Sequence, residues 1–178
     1  MTLALYHDIC RNIERPAGAA DVALSLLWSR GVQAIALYRL AHWCHRHGIS
    51  ALSEVLLRMS QLLYTVDIAY QAEIGPGLVL RHPMGVVIGK GCTIGRDVTI
   101  LNGATLGNRF SGDHDRPDGS PTVGDGVLIG TGAKVVGPVA IGDGCTVGAN
   151  SVVTRTIPQG AVVAGVPARV VRRGLEAG

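Results

Sequence analysis

Residues 86–107 read VVIGKGCTIGRDVTILNGATLG, with Ile88, Ile94, Ile100 and Leu106 spaced six apart and a glycine directly after Ile88, Ile94 and Leu106. Six is neither the 3.6-residue period of a helix nor the two-residue alternation of a hairpin strand. The register extends backward to Ile68, Ile74 and Leu80, and resumes at Val123, Ile129, Val135, Ile141, Val147 and Val153. Thirteen anchors in step point to a repeat architecture. The economical reading is a triangular β-solenoid in which each six-residue unit forms one side and three units complete a coil. Each anchor then points into the prism, and backbone groups pair with the coils above and below. On this reading about four to five coils stack, and glycine after the anchor serves the corner, where positive φ is useful.

Composition agrees with a narrow core of small and β-branched side chains. Hydrophobic residues make up 47% of the 178 while aromatics reach 4%, against 25 glycines. The length fits one domain with a modest appendage. A net charge of +3 with scattered basic residues argues against nucleic acid. Cys10, Cys44, Cys92 and Cys145 lie far apart with no CxxC pair, which favours reduced thiols in a cytoplasm. No signal peptide is visible, and Arg30, Gln33 and Arg39 interrupt the apolar run Val22–Trp43, so no membrane span is expected.

The first 66 residues have helical texture. Leu52, Val55, Leu56, Met59, Leu62 and Leu63 predict a helix with one buried face, with Ser53 and Glu54 as capping candidates. Further helices are expected near 33–45 and 22–28. The division is therefore 1–66 helical, 67–163 β-helix and 164–178 a C-terminal segment. Two interruptions break the repeat. The step from Leu80 to Ile88 is eight, so residues bulge around Arg81, His82, Pro83 and Met84. The step from Leu106 to Val123 is seventeen, so 108–120 leaves the prism as a loop.

Hexapeptide repeats of this kind resemble the left-handed parallel β-helix acyltransferases. The stretches TVDIAYQAEIG (65–75), LRHPMGVVIG (80–89), NGATLG (102–107), GVQAIALYRLAH (31–42) and AGVPAR (164–169) are similar to segments of serine acetyltransferases. The left hand, acetyl-CoA as co-substrate and a hydroxyl acceptor such as L-serine are what the resemblance implies, with a place in cysteine biosynthesis.

Acetyl transfer from a thioester to a hydroxyl needs a base near physiological pH, and His82, at the bulge, suits that task. Asp67, about one coil earlier, is expected to orient it, and the matching family Asp has that role. In the extruded loop, His114 and Arg116 are candidate acceptor ligands, with Arg81 beside the base. Here the chain departs from the resemblance. The family has Asp before the base, where this chain has Arg81, and an Arg-His pair closing the loop, where this chain has Gly119 and Ser120. The family's pantetheine-binding turns map onto Gly130, Ala133, Lys134, Gly148, Ala149 and Ser151, with Arg169 near the phosphates.

The mechanism expected is direct transfer without an acetyl-enzyme. The rivals are O-acetylation of a sugar or other small alcohol, a zinc-dependent β-helix carbonic anhydrase, and a non-enzymatic scaffold. His42, Cys44, His45 and His47 share one helix on two faces, which makes a closed tetrahedral metal site implausible. A homotrimer is expected, with a hexamer open.

Overall fold

The structure is a computed structural model and describes residues 2–108 and 119–172. Four helices, α1 (Thr2–Ile13), α2 (Ala19–Trp28), α3 (Arg30–Arg46) and α4 (Ser50–Tyr64), precede a solenoid of short strands. The strands that matter for the site are β1 (Asp67–Ile68), β2 (Glu73–Ile74), β3 (Val79–Arg81) and β4 (Val87–Ile88). They continue through β5 (Thr93–Ile94), β6 (Thr99–Leu101), β7 (Thr105–Gly107), β8 (Thr122–Val123), β9 (Leu128–Ile129) and β10 (Lys134–Val136). The last are β11 (Ala140–Ile141), β12 (Thr146–Val147), β13 (Val152–Val153), β14 (Val162–Ala164) and β15 (Arg169–Arg172).

Up to β13, every third strand stacks on the same face. One sheet runs β1-β4-β7-β10-β13, a second β2-β5-β8-β11, and a third β3-β6-β9-β12-β14 with β15 added antiparallel at its end. Register keeps anchor over anchor: Ile68 pairs with Ile88, Ile88 with Leu106, Leu106 with Val135 and Val135 with Val153. These side chains form one buried column, and the residue two before each anchor, such as Ala72, Cys92, Val98 and Ala104, is buried beside it. The fold is thus a left-handed parallel β-helix behind a small helical cap.

The glycine rule needs correction. Glycines directly after the anchors do not take positive φ; most of them permit close approach. A Cβ on Gly75 would lie 2.6 Å from the Gly95 carbonyl oxygen, and one on Gly130 2.7 Å from that of Val147. Positive φ falls three residues after the anchor, at Gly77, Gly91, Gly126 and Gly144, with Asp97 and Asn150 taking the same role. The short polar side chains of Asp and Asn tolerate the left-handed region.

Two features of the cap were not legible. Helix α1 was not anticipated as a separate element, and Ser53 is no cap: it is buried within α4, and its hydroxyl donates to the Ala41 carbonyl of α3 at 2.9 Å. Helix α1 carries Asp8, wholly buried, whose Oδ1 accepts from the amides of Gly77 and Leu78 at 2.8 Å each. Arg39 of α3 meets the same carboxylate at 3.0 and 3.1 Å and donates onward to the carbonyls of Ile74 and Gly75. One ion pair thereby fastens two helices to the first coil with its donors and acceptors engaged.

Burial also marks Cys92, whose thiol sits in the prism and is pushed up to about 11. The fold favours the neutral thiol. Its contribution to stability is therefore complete below the ordinary value near 9 and is lost as pH climbs through about 11. The melting temperature should hold level up to pH 9 and fall toward pH 11, and iodoacetamide at pH 8 should leave Cys92 unmodified in the folded protein. Alkylation of Cys92 at pH 8 without unfolding would contradict this account. Among the described residues no helix is long and apolar enough to cross a membrane.

Candidate active site

The chain turns from the third sheet into the first at one edge of the prism, and that edge gathers most of the expected site. At its helical end lies the corner 82–85 between β3 and β4. His82 takes φ +52° and is exposed, while Pro83 is buried. The left-handed conformation turns the imidazole out of the coil, which a residue continuing the strand could not do. Below it the edge continues through Asn102 and Gly103, Thr131 and Gly132, and Ala149 and Asn150. Successive corners are joined by backbone bonds, from the Gly103 amide to the Met84 carbonyl at 2.9 Å, from Gly132 to Asn102 at 2.8 Å, and from Asn150 to Thr131 at 2.7 Å. At one coil per ~4.8 Å, three steps carry the edge ~14 Å from His82 to Ala149. Such a glycine-lined track suits an extended amide-bearing arm laid along the coils.

A pocket of about 240 Å³ opens at the His82 corner, lined by Ser29, Arg30, Gly31, His82, Pro83 and Met84. The helical cap supplies half of it. Gly31 lies so close to β3 that a Cβ there would stand 2.4 Å from the Leu80 carbonyl oxygen. Only glycine lets α3 begin against β3, the strand that leads into the His82 corner. Ser29 caps α3 by accepting the Val32 amide at 3.4 Å, which holds the first turn and Arg30 at the pocket mouth. Sequence reading missed this lining because it lies some fifty residues from His82 along the chain. The visible signal was a glycine at the start of a helix, where glycine is a poor helix former.

Asp67 lies on the first sheet and His82 on the corner that leads into that sheet, and among the described residues no hydrogen bond joins them. The corner nonetheless touches the entry to β1, since the Gly85 amide donates to the Thr65 carbonyl at 2.9 Å. Arg81 points away from the pocket and pairs with Glu14 at 2.6 Å, both side chains exposed. His114 and Arg116 lie outside the described residues. The neck of their loop is stitched by Ser120, whose hydroxyl lies 2.7 Å from the Lys90 carbonyl and 2.6 Å from Asn108 Oδ1.

The expected cofactor residues all fall on or beside the edge, in unequal roles. Ala149 is exposed there, while Gly130 and Gly148 are needed for close coil packing. Ala133 is core, and the Ser151 hydroxyl is buried and accepts the Gly165 amide at 3.2 Å. Lys134 folds back onto its own edge, with Nζ donating to the Gly103 carbonyl at 2.6 Å and to Thr105 Oγ1 at 3.0 Å. Arg169 opens β15 and is exposed. In the helical cluster, His42 Nδ1 donates to the Tyr70 carbonyl at 2.8 Å and His47 Nδ1 to the Trp43 carbonyl at 2.8 Å. Among the described residues no three His, Cys, Asp or Glu side chains converge as a metal site would require.

Comparison with known proteins agrees with this architecture. Residues 120–155 match the family described as bacterial transferase hexapeptide (six repeats), and residues 85–109 match the hexapeptide repeat of succinyl-transferase. A serine acetyltransferase of Mycobacterium tuberculosis is 42% identical over 172 residues, covering 96% of this chain and 73% of that protein. The Escherichia coli serine acetyltransferase is 40% identical over 146 residues, covering 82% of this chain and 52% of its own length. The chain thus spans about half the length of that relative. The serine acetyltransferase of Brucella abortus in complex with coenzyme A superposes with a TM-score of 0.86 at 34% identity, covering 97% of this chain and 68% of that one. With the repeat, the helical cap and the corner histidine all in place, the chain belongs to the serine acetyltransferase family of hexapeptide-repeat transferases.

Proposed function

We propose that the protein transfers the acetyl group of acetyl-CoA to the hydroxyl of a small acceptor, with L-serine the first candidate and O-acetylserine the product. The observation that carries this reading is an exposed histidine held at positive φ over a small pocket, at the head of an edge where an acyl carrier can lie. His82 takes the hydroxyl proton as the acceptor oxygen bonds to the acetyl carbonyl carbon. The tetrahedral intermediate then collapses, the carbon–sulfur bond breaks, and His82 returns the proton to the departing thiolate. Asp67 is the proposed orienting carboxylate, supported by the bond that ties Thr65 to the His82 corner. The coenzyme is proposed to run down the edge toward Gly130, Gly148 and Ala149, with Arg169 meeting phosphate. The family relatives named serine acetyltransferase support the acceptor, and the relative crystallised with coenzyme A supports the donor. All four cysteines are free thiols, which supports a reducing, cytoplasmic setting.

A second reading, O-acetylation of a sugar or other small alcohol, is favoured by residues 119 and 120. A Cβ on Gly119 would lie 2.5 Å from Cβ of Pro138, and the Ser120 hydroxyl is already committed to the loop neck. These positions cannot supply the acceptor clamp that the resemblance would place there. Thiol release from acetyl-CoA, followed with L-serine and with a sugar panel in turn, separates the readings. Release with L-serine supports the first; release with a sugar alone replaces it by the second; release with neither overturns both.

The reading includes a homotrimer. Leu24, Leu27 and Trp28 of α2 and Leu52, Val55, Met59 and Leu62 of α4 are exposed, an apolar expanse that a lone chain rarely leaves in water. Light scattering should give three times the 18.5 kDa chain mass, or six times for paired trimers, and a monomeric mass would refute the assembly.

A further inference from the structure

We infer that Arg30 determines acceptor specificity by binding an anionic group, so that the acceptor is a small hydroxy compound bearing a carboxylate; this rests on the acetyl-transfer reading above. The pocket that holds His82 is lined by six residues, of which Arg30 alone carries a permanent charge and none is acidic. An acceptor entering it meets both His82 and Arg30 among the residues that line it. The guanidinium fork matches a carboxylate bidentately, fixing orientation as well as charge. A neutral alcohol would leave the arginine without its partner and lose that anchor.

Size narrows the class further. At about 240 Å³ the pocket is smaller than those that enclose drug-sized ligands, so it admits an amino acid or a single sugar acid rather than a polymer or nucleotide. Position is fixed by structure. Ser29 caps the helix immediately before Arg30, and Gly31 lets that turn rest on Leu80 two residues from the base. Arg30 itself is exposed and built into no core contact, so its replacement leaves the fold intact.

The test compares carboxylates with neutral counterparts: L-serine against L-serinamide, and D-glucuronate against D-glucose. Arg30→Ala should raise KM for the preferred carboxylate at least tenfold, leave KM for acetyl-CoA within about twofold, and abolish the preference over the neutral compound. Arg30→Lys should fall between. Binding is read independently of turnover by titrating each compound against the His82 ring NMR signals of wild type and Arg30→Ala. Carboxylate binding that weakens in the variant upholds the inference even if no acetyl transfer occurs, in which case only the acetyl-transfer reading falls. Turnover with unchanged acceptor KM in Arg30→Ala, or equal preference for neutral compounds in the wild type, overturns the inference while sparing that reading. Failure of every compound both to bind and to turn over sinks both. L-serine and the sugar acid are separated by which of the two shows the Arg30-dependent shift.

Discussion

His82→Asn lowers kcat by about 10²–10⁴-fold, the range general-base removal usually costs, with acetyl-CoA binding and the melting temperature close to wild type. Asparagine is the better probe than alanine because residue 82 holds φ +52°, a conformation that asparagine tolerates and that adds strain to most other side chains. The variant thereby isolates the proton transfer from the backbone. Thiol release with the preferred acceptor, measured beside a thermal melt, checks both halves. Near-normal turnover in His82→Asn would remove the base from its role. Asp67→Asn should lower kcat less, since the base remains and only its orientation and the stabilisation of its charged form suffer. An equal loss from both substitutions would mean that the two act as one unit. No loss from Asp67→Asn would leave His82 working alone.

Asp8→Ala produces the largest expected loss of stability, about 3–5 kcal/mol, because it strands Arg39 in a buried site. For a chain of this size that lowers Tm by roughly 6–20 °C. The replacement removes the acceptor of two backbone amides and the counter-ion of a guanidinium together, and water has poor access to supply substitutes. Pairing Asp8→Ala with Arg39→Met should recover part of the loss, since the stranded charge is gone. A melt within 2 °C of wild type for Asp8→Ala would show that the pair contributes little to holding the cap. Damage should also reach the active site, since α3 carries Arg30 to the His82 pocket.

The solenoid was legible because its information is local and periodic: six residues suffice to say which side chain points inward, and thirteen repeats make the statement redundant. The eight-residue step at Leu80–Ile88 likewise marked the corner of His82 without any knowledge of its neighbours. Properties that depend on partners far along the chain were not legible. Ser53 looks like a helix cap from its neighbours, yet its hydroxyl serves Ala41. Asp8 carries no mark in the sequence that sets it apart from any other charge, and only the fold reveals that Gly77, Leu78 and Arg39 converge on it. Lys134 resembles a cofactor ligand by its motif, while in place it bridges Gly103 and Thr105. Arg81 stands beside His82 in sequence and turns toward Glu14 in space. The glycines were read correctly as necessary but for the wrong reason. A period of six cannot distinguish a residue that needs positive φ from one whose Cβ would strike the next coil.

A stack of parallel strands is an open template at either end, because the last coil offers the same unpaired amides and carbonyls that received it. Here the first coil lies under the helices, and the last strand of the third sheet is met by β15 running the opposite way, studded with Arg169 and Arg172. The reversal gives an incoming copy the wrong polarity and the wrong charge for continuing the column. Growth of the third sheet is thereby interrupted at β15, which offers a newcomer an antiparallel edge in place of the parallel one on which the coils stack.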